Sequence, residues 1–297
     1  MSSNRAYWIS GVLMSVLGAI LYSSKAVFVK LAYQYQIDSI SLLTLRMLFA
    51  IPFYIGILIW IHKKDPMNHS WKNRSILRTI LLGISGFYIA SQLDFIGLQY
   101  ISAGIERIVL FTYPSIVVII MAMFYKEKIT PLILLALGFT YLGIFIAFQD
   151  KVVLAESTAL FKGSVLVFTA ASFYSIYVVG SGQLVKNLGT FRFTSIGMLA
   201  AAICILIQHG IQFQWKLFHF DKMIYLISLI IATVSTVIPS FLVMEGIKRI
   251  GSTNASIVGS IGPISTIILA YLILNEQFGY LQLLGTFVVI IGVLLIT

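Results

Sequence analysis

The chain has 297 residues, of which 59% are hydrophobic and only 10% are charged, and its formal net charge is +10. A soluble domain carries about 25% charged residues because it needs a hydrated surface, so this composition excludes a soluble fold and indicates one embedded in lipid. The basic residues cluster between apolar runs and form no stripe, which argues against a nucleic-acid-binding surface.

Apolar runs long enough to cross a bilayer as helices follow one another along the whole chain. The first run, beginning near Trp8, lacks the short apolar core and the cleavage site of a signal peptide, so it is expected to remain as a helix. The sequence predicts an all-α integral membrane protein with ten transmembrane helices, at 8–31, 39–61, 76–99, 102–124, 130–148, 163–182, 190–208, 223–245, 252–274 and 278–296.

The distribution of lysine and arginine between these runs predicts the orientation in the membrane. The longest polar connection, residues 62–78, carries a group of basic residues: Lys63, Lys64, Lys72, Arg74 and Arg78. Cytoplasmic connections are enriched in lysine and arginine, so this connection is assigned to the cytoplasm. With ten spans both termini then face the cytoplasm, and the expected location is a cell membrane such as the bacterial inner membrane.

The sequence contains no motif of soluble catalysis. HExxH, GxSxG, Walker A and GxGxxG patterns do not occur, and the connections are too short to hold a catalytic domain, which argues against an enzyme or an ATP-driven pump. The single cysteine, Cys204, lies in an apolar run. The four histidines are assigned to connections, so the sequence predicts neither a metal site nor a cofactor: His62, His69, His209 and His219.

The chain also contains an internal repeat. A shift of 149 residues aligns 91–128 with 240–277 without gaps, and a looser match at a shift of 152 pairs Gly11 with Gly163 and Tyr22 with Tyr174. Residues 1–150 and 151–297 are therefore predicted to be two five-helix repeats that form one transport domain. Because five is odd, the second repeat enters the membrane inverted, as in many secondary transporters. A duplicated membrane scaffold without a transport role is the alternative.

The fourth helix of each half carries the pattern G-x3-I-x12-P-x12-E, from Gly97 to Glu127 and from Gly246 to Glu276, and the last helix reads Q-x2-G-x6-G at 282–292. With five plus five spans and short connections, the chain resembles the drug/metabolite transporter superfamily, EamA-type. The resemblance implies a ten-helix carrier that moves small metabolites, often outward, through a central cavity. Lys25 departs from the small or amide residue usual in that family, so no substrate is carried over.

Six ionisable residues are predicted to share one depth in the outer third of the first half, given a rise of about 1.5 Å per residue: Lys25, Lys30, Arg46, Asp94, Glu106 and Arg107. Charges inside a membrane pair, snorkel or face water. Lys30 is expected to snorkel, and Lys25 to pair with Asp94 or Glu106. Two interpretations stay open: a structural ion-pair network, or an outer gate that attracts an anionic substrate and in which Asp94 or Glu106 exchanges a proton.

Polar and aromatic residues of the central helices are the candidate cavity lining: Tyr22, Tyr88, Gln92, Tyr113, Tyr174, Tyr177 and Asn254. The second half lacks a charged layer, since Glu106 aligns with Ala255 and Asp94 with Val243. Pro114 and Pro263 occupy matching positions and are predicted hinges, because interior prolines kink helices and interrupted segments mark binding sites in transporters. Ordinary helix packing is the alternative for either proline.

These features together predict a secondary transporter that works by alternating access, with export as the expected direction. The expected substrates are small metabolites such as amino acids or other small organic anions and zwitterions. A lipid or lipid-headgroup flippase or scramblase is the alternative, because a basic outer layer also fits a headgroup. The expected partners are the substrate and membrane lipids, with proton coupling as a further expectation.

Overall fold

The computed structural model describes residues 2–64, 73–152, 157–274 and 280–295. The regular structure of these residues is entirely helical, which confirms the predicted all-α fold class. The helices of the first half are α1 Ser2–Tyr33, α2 Ser39–Lys64, α3 Asn73–Gly83, α4 Ala90–Tyr100, α5 Ala103–Leu110, α6 Tyr113–Tyr125 and α7 Pro131–Val152. Those of the second half are α8 Ser157–Leu188, α9 Thr190–Phe213, α10 Lys222–Ala232, α11 Ile238–Val258, α12 Gly262–Leu274 and α13 Tyr280–Leu294.

Within the described residues, six helical stretches are long and apolar enough to cross a membrane. One of them, Lys222–Ile273, spans 52 residues. It is broken at Gly251, whose φ of 83° and ψ of 164° lie outside the helical region. Apolar helices at Tyr113–Tyr125 and Pro131–Ile146 are shorter. The protein is therefore a membrane protein with several spans, and the number ten stays a prediction.

The exterior of the helix bundle is apolar, as a lipid-facing surface requires. Phe124, Phe161 and Ile211 are 75%, 72% and 78% exposed, whereas Arg46 and Glu106 are 2% and 0% exposed. A soluble protein rarely shows such a continuous apolar surface. The hydrophobic effect in water therefore does not explain this fold, and the buried charges need partners inside the protein.

The predicted placement of every histidine in a connection is wrong for His62, which lies in the last turn of α2, and for His209. Helix α9 continues past the predicted end at residue 208, so His209 lies inside the helix and is fully buried. Its Nε2 atom lies 3.2 Å from Ser41 Oγ on α2, and its ring stacks on Phe213 with 5.2 Å between centroids. A polar ring is tolerated there because one edge has a hydrogen-bonding partner and the faces are apolar. His69 lies outside the described residues.

Two close helix contacts have the same form in the two halves. At Gly246, where α11 meets α1, an added Cβ atom would lie 2.1 Å from Ser15 Oγ. At Gly97, where α4 meets α8, it would lie 2.6 Å from Val167 Cγ2. The sequence shift of 149 pairs Gly97 with Gly246, and the shift of 152 pairs Ser15 with Val167. The α1–α11 contact therefore corresponds, residue for residue, to the α8–α4 contact.

Helix irregularities also occur at matching positions. A π-helical segment, Ile84–Ile89, joins α3 to α4, and a second, Thr233–Val237, joins α10 to α11. Their first residues are 149 positions apart, which is the shift that aligns the two halves of the sequence. Further on, a turn at Phe111 and Thr112 separates α5 from α6, and a 3₁₀ segment, Gly259–Ile261, separates α11 from α12. Such interruptions release backbone hydrogen bonds and often lie next to functional sites.

Pro114 and Pro263 follow these last interruptions. Pro114 lies in the first turn of α6 and Pro263 in the first turn of α12. A proline is well accommodated there, because its missing N–H has no partner within the helix at that position. The two prolines thus lie in the first turns of new helices after a break, whereas the sequence predicts that they lie in the interior of continuous spans.

Candidate functional site

A cavity of about 100 Å³ lies between the two halves. Its lining comes from α1, α2, α4, α5, α6, α8 and α11, together with the two π-helical segments. Its polar lining consists of Ser15, Tyr22, Ser23, Lys25, Arg46, Ser91, Asp94, Arg107, Tyr113, Tyr174 and Thr236. Four of the six residues in the predicted charged layer therefore line one cavity.

Lys25 and Asp94 form a buried ion pair across the cavity wall. The Lys25 Nζ atom donates a hydrogen bond of 2.6 Å to Asp94 Oδ2, and the two side chains are 13% and 3% exposed. Asp94 lies on α4 beyond the π-helical segment, and its other oxygen, Oδ1, has no hydrogen-bond donor. Of the two carboxylates predicted as partners for Lys25, the structure selects Asp94.

Arg46 brings a second cation into the cavity from α2. Its Nη2 atom donates to Ser91 Oγ at 3.3 Å, and its guanidinium carbon lies 5.2 Å from the centroid of the Phe95 ring. The same ring lies 5.9 Å from Lys25 Nζ, so one aromatic side chain contacts both cations. The Nε atom of Arg46 has no hydrogen-bond partner although the residue is buried.

Glu106 and Arg107 are consecutive residues near the start of α5, whose N-terminus is capped by Ser102. The Arg107 Nε atom lies 2.9 Å from Glu106 Oε2, but the N–H does not point at the oxygen, so the contact is electrostatic without a hydrogen bond. Both carboxylate oxygens of Glu106 and the Nη2 atom of Arg107 lack hydrogen-bond partners. Arg107 lines the cavity, whereas Glu106 lies behind it, fully buried.

Aromatic side chains form the wall opposite the π-helical segment. Tyr113 donates from its hydroxyl to the Ser256 carbonyl at 3.0 Å, and its ring lies 5.3 Å from that of Tyr174 in an edge-to-face arrangement. The Tyr22 hydroxyl also lines the cavity and has no partner. Tyr22 and Tyr174 are the pair matched by the shift of 152 residues, so the two halves contribute equivalent tyrosines.

The other predicted lining residues do not line this cavity. Tyr177 lies behind the wall, where its ring stacks on Phe193 with 6.0 Å between centroids. Asn254 donates to the Ile250 carbonyl of its own helix at 3.0 Å. Tyr88 lines a different groove beside Cys204, and Gln92 lines neither.

Sequence reasoning missed five contributors to the site. Ser91, Thr236, Ser15 and Ser23 line the cavity, and Phe95 supports two of its cations. The alignment that pairs Ser91 with Ser240 offered a signal for the first. Nothing in the local sequence distinguishes Phe95 from the many other aromatic residues of the chain.

A second ionic cluster on α11 lines a groove separate from the cavity. Glu245 accepts hydrogen bonds from the Thr190 hydroxyl and, at 2.8 Å, from Arg249 Nε. Arg249 Nη1 donates in turn to Ser10 Oγ at 2.6 Å. These hydrogen bonds connect α1, α9 and α11.

Comparison with known proteins places these features in a family. A family model described as the EamA-like transporter family matches residues 9–149 and again residues 161–297. The uncharacterized transporter YcbK of Bacillus subtilis (strain 168) is 31% identical over 281 residues, which cover 93% of this chain and 89% of that protein. The uncharacterized inner membrane transporter YicL of Salmonella typhimurium is 24% identical over 299 residues, covering 97% and 95% of the two chains.

A solved structure whose title reads only "Crystal structure of protein" has the same fold. It superposes with a TM-score of 0.76, covering 97% of this chain and 96% of its own, at 15% sequence identity. The family and fold comparisons thus agree with the resemblance drawn from the G-x3-I-x12-P-x12-E pattern, which is confirmed.

Proposed function

This chain belongs to the EamA-like transporter family, and we propose that it is a secondary transporter that exports small organic anions or zwitterions, such as amino acids, by alternating access. The observation that carries the proposal is the pair of guanidinium groups in the central cavity. Arg46 and Arg107 both line the cavity, and each has a buried N–H group without a hydrogen-bond partner.

An anionic group is the ligand that fits these donors. A buried donor without a partner costs about 1–3 kcal/mol, and a hydrogen bond to a charged partner recovers that cost. Guanidinium groups match carboxylates and phosphates in shape, because their planar N–H groups bind two oxygens at once. Counted as ionised, the five residues Lys25, Arg46, Asp94, Glu106 and Arg107 carry three positive and two negative charges, so the site favours one added negative charge.

The size of the cavity fits a closed stage of a transport cycle. The cavity volume is about 100 Å³. Sites for small metabolites are larger, on the order of 300 Å³ or more. A substrate therefore enters only after helices move apart. The break before Pro114 allows α6 to turn relative to α5, and the break before Pro263 allows α12 to turn relative to α11.

The proposal includes two inverted repeats, residues 1–150 and 151–297. The equivalent contacts at Gly97 and Gly246, together with the π-helical segments one repeat length apart, support it. In such an arrangement, equivalent pairs of helices from the two repeats close the two ends of the pathway. The Arg249–Ser10 hydrogen bond has a counterpart at the matched positions, where Lys162 Nζ donates to the Tyr100 hydroxyl at 2.8 Å.

The experiment that tests the function begins with metabolite profiles of medium and cytosol from cells with and without expression. Compounds enriched in the medium are then tested for flux in proteoliposomes containing wild-type protein, Arg46→Gln, Arg46→Lys or the control Lys216→Gln. Lys216 is exposed and lies outside the cavity. We expect Arg46→Gln to slow flux by about ten- to a hundredfold, the equivalent of losing one charged hydrogen bond.

A fluorescent-phospholipid translocation assay in the same vesicles separates the competing function. Lipid movement that depends on Arg46, with no metabolite flux, would replace the proposed carrier with a flippase or scramblase. Flux of neutral compounds that Arg46→Gln leaves unchanged would reject the anion site.

A further inference from the structure

Two buried carboxyl groups beside the cavity lack hydrogen-bond donors. Asp94 lies on α4 and Glu106 near the start of α5, and these two helices are in contact. Three of their four oxygens, Asp94 Oδ1 and both oxygens of Glu106, accept no hydrogen bond. Both residues are almost completely buried, at 2% and 0% exposure. An oxygen that accepts no hydrogen bond can bind a proton without losing one, so these carboxyl groups are candidate proton sites.

We propose that Glu106 binds a proton whenever an anionic substrate occupies Arg107, so that one proton moves with each substrate anion. This inference rests on the proposed function and deepens it, since it assigns the coupling ion and the residue that carries it. Buried acidic residues inside membrane bundles serve as proton carriers in many pumps and transporters.

The structure distinguishes Glu106 from Asp94 as the carrier. Asp94 has a hydrogen-bonded cation, Lys25, at 2.6 Å, which holds it as a carboxylate. Glu106 contacts Arg107 at 2.9 Å but accepts no hydrogen bond from it. Protonation therefore disrupts a weaker contact at Glu106 than it would at Asp94.

Coupling follows because Glu106 and the substrate compete for one guanidinium group. Arg107 contacts Glu106 on one side and lines the cavity on the other. When the substrate anion binds Arg107, Glu106 loses its counter-charge and takes up a proton from water onto a carboxylate oxygen. When the substrate leaves, Glu106 releases the proton and returns to Arg107. The total charge of the site is the same in both states, because one added anion is balanced by one added proton.

Other charged groups act on Glu106 from several helices. Lys25 and Lys30 of α1, Asp94 of α4 and the adjacent Arg107 act on it electrostatically, while Arg46 of α2 acts on Asp94. Helices α7, α8 and α12 also pack against α5, but among the described residues they contribute none of the charges that act on Glu106. A sodium ion is disfavoured as the coupling ion, because cations already contact both carboxyl groups at 2.6 and 2.9 Å.

Dicyclohexylcarbodiimide, which modifies protonated carboxyl groups in apolar surroundings, tests the site without knowledge of the substrate. The purified full chain is treated across a pH series, with and without sodium chloride, and modified peptides are identified by mass spectrometry. We expect modification of Glu106 that increases as the pH falls and is insensitive to sodium. Modification of Asp94 in place of Glu106 would overturn the assignment, and so would the absence of any modified acidic residue. Protection by sodium at constant pH would assign a sodium site instead.

Transport in vesicles tests the coupling itself. Proteoliposomes that contain a pH-sensitive dye are exposed to gradients of glutamate, succinate or inorganic phosphate. We expect an anion that moves to carry protons, and we expect Glu106→Gln to bind and move that anion without proton flux and without pH dependence. Lys216→Gln should behave as wild type. Anion flux without proton movement would overturn the coupling, whereas the absence of any anion flux would count against the proposed function.

Discussion

At the scale of single residues, variants of the Lys25–Asp94 ion pair can distinguish a structural role of the charged layer from a role in transport. A buried ion pair contributes little net stability, but removing one partner leaves a buried charge unpaired, which costs about 3–5 kcal/mol. Lys25→Met therefore lowers stability whichever interpretation of the charged layer holds. A loss of activity in that variant does not distinguish them.

We predict that Lys25→Met lowers the melting temperature in detergent and abolishes transport, and that the double variant Lys25→Met with Asp94→Leu recovers the melting temperature alone. The double variant leaves no unpaired charge, since the Asp94 carboxylate that Lys25 contacts at 2.6 Å is also removed. Thermal unfolding and vesicle flux, measured on the same preparations, provide the comparison. Full recovery of transport by the double variant would reduce the pair to a structural contact.

The depth of each charge could be predicted from the sequence, but its neighbours could not. A helix rises about 1.5 Å per residue, so counting from the ends of the apolar runs was enough to group Lys25, Arg46 and Asp94 in one layer. The choice between Asp94 and Glu106 as partner of Lys25 depends on helix rotation. Rotation changes by about 100° per residue, and the π-helical segment before Asp94 alters it in a way that the sequence does not reveal.

At the scale of helices, hydropathy predicted the apolar runs but not their interruptions. The predicted span 102–124 is divided in the structure by the turn at Phe111 and Thr112, although neither residue of the turn is a glycine or a proline. Pro114 lies in the first turn of the next helix, whereas the sequence predicts a kink inside a single helix. The same limit explains Tyr177, which lies one turn from Tyr174 yet packs behind the cavity wall.

The close contacts at matched glycines give a prediction about helix packing. We expect Gly246→Ala and Gly97→Ala each to destabilise the protein by about 1–3 kcal/mol, the usual cost of overpacking. In both cases the new methyl group would lie under 3 Å from a neighbouring side chain. The measurement is the melting temperature in detergent.

Gly138→Ala is the matched control for these two variants. Gly138 lies in α7, and an added Cβ atom there would meet nothing within 4 Å. Its replacement should leave the melting temperature unchanged or raise it slightly, because alanine is the better helix former. Equal effects of all three substitutions would show that the glycines matter for helix propensity and not for packing.

At the scale of the whole molecule, the two halves have matching helix contacts but different chemistry. Asp94 of the first half aligns with Val243 of the second half, and both residues line the cavity. The ionic cluster that joins Glu245 and Arg249 of α11 to Ser10 of α1 lies outside this cavity. A pathway with unlike ends gives a transporter different affinities on the two sides, which a directional carrier uses.

Inversion of the second half gives the most direct prediction at this scale. Gln34 follows α1 and Lys186 lies near the end of α8, and the shift of 152 residues pairs these two exposed positions. In a background with Cys204→Ser, we expect a membrane-impermeant maleimide to label Gln34→Cys in intact cells. Lys186→Cys should be labelled only after the membrane is permeabilised, since the bias of basic residues assigns its connection to the cytoplasm. Labelling of both cysteines in intact cells would mean that the two halves insert with the same orientation, and a parallel arrangement would then replace the inverted one.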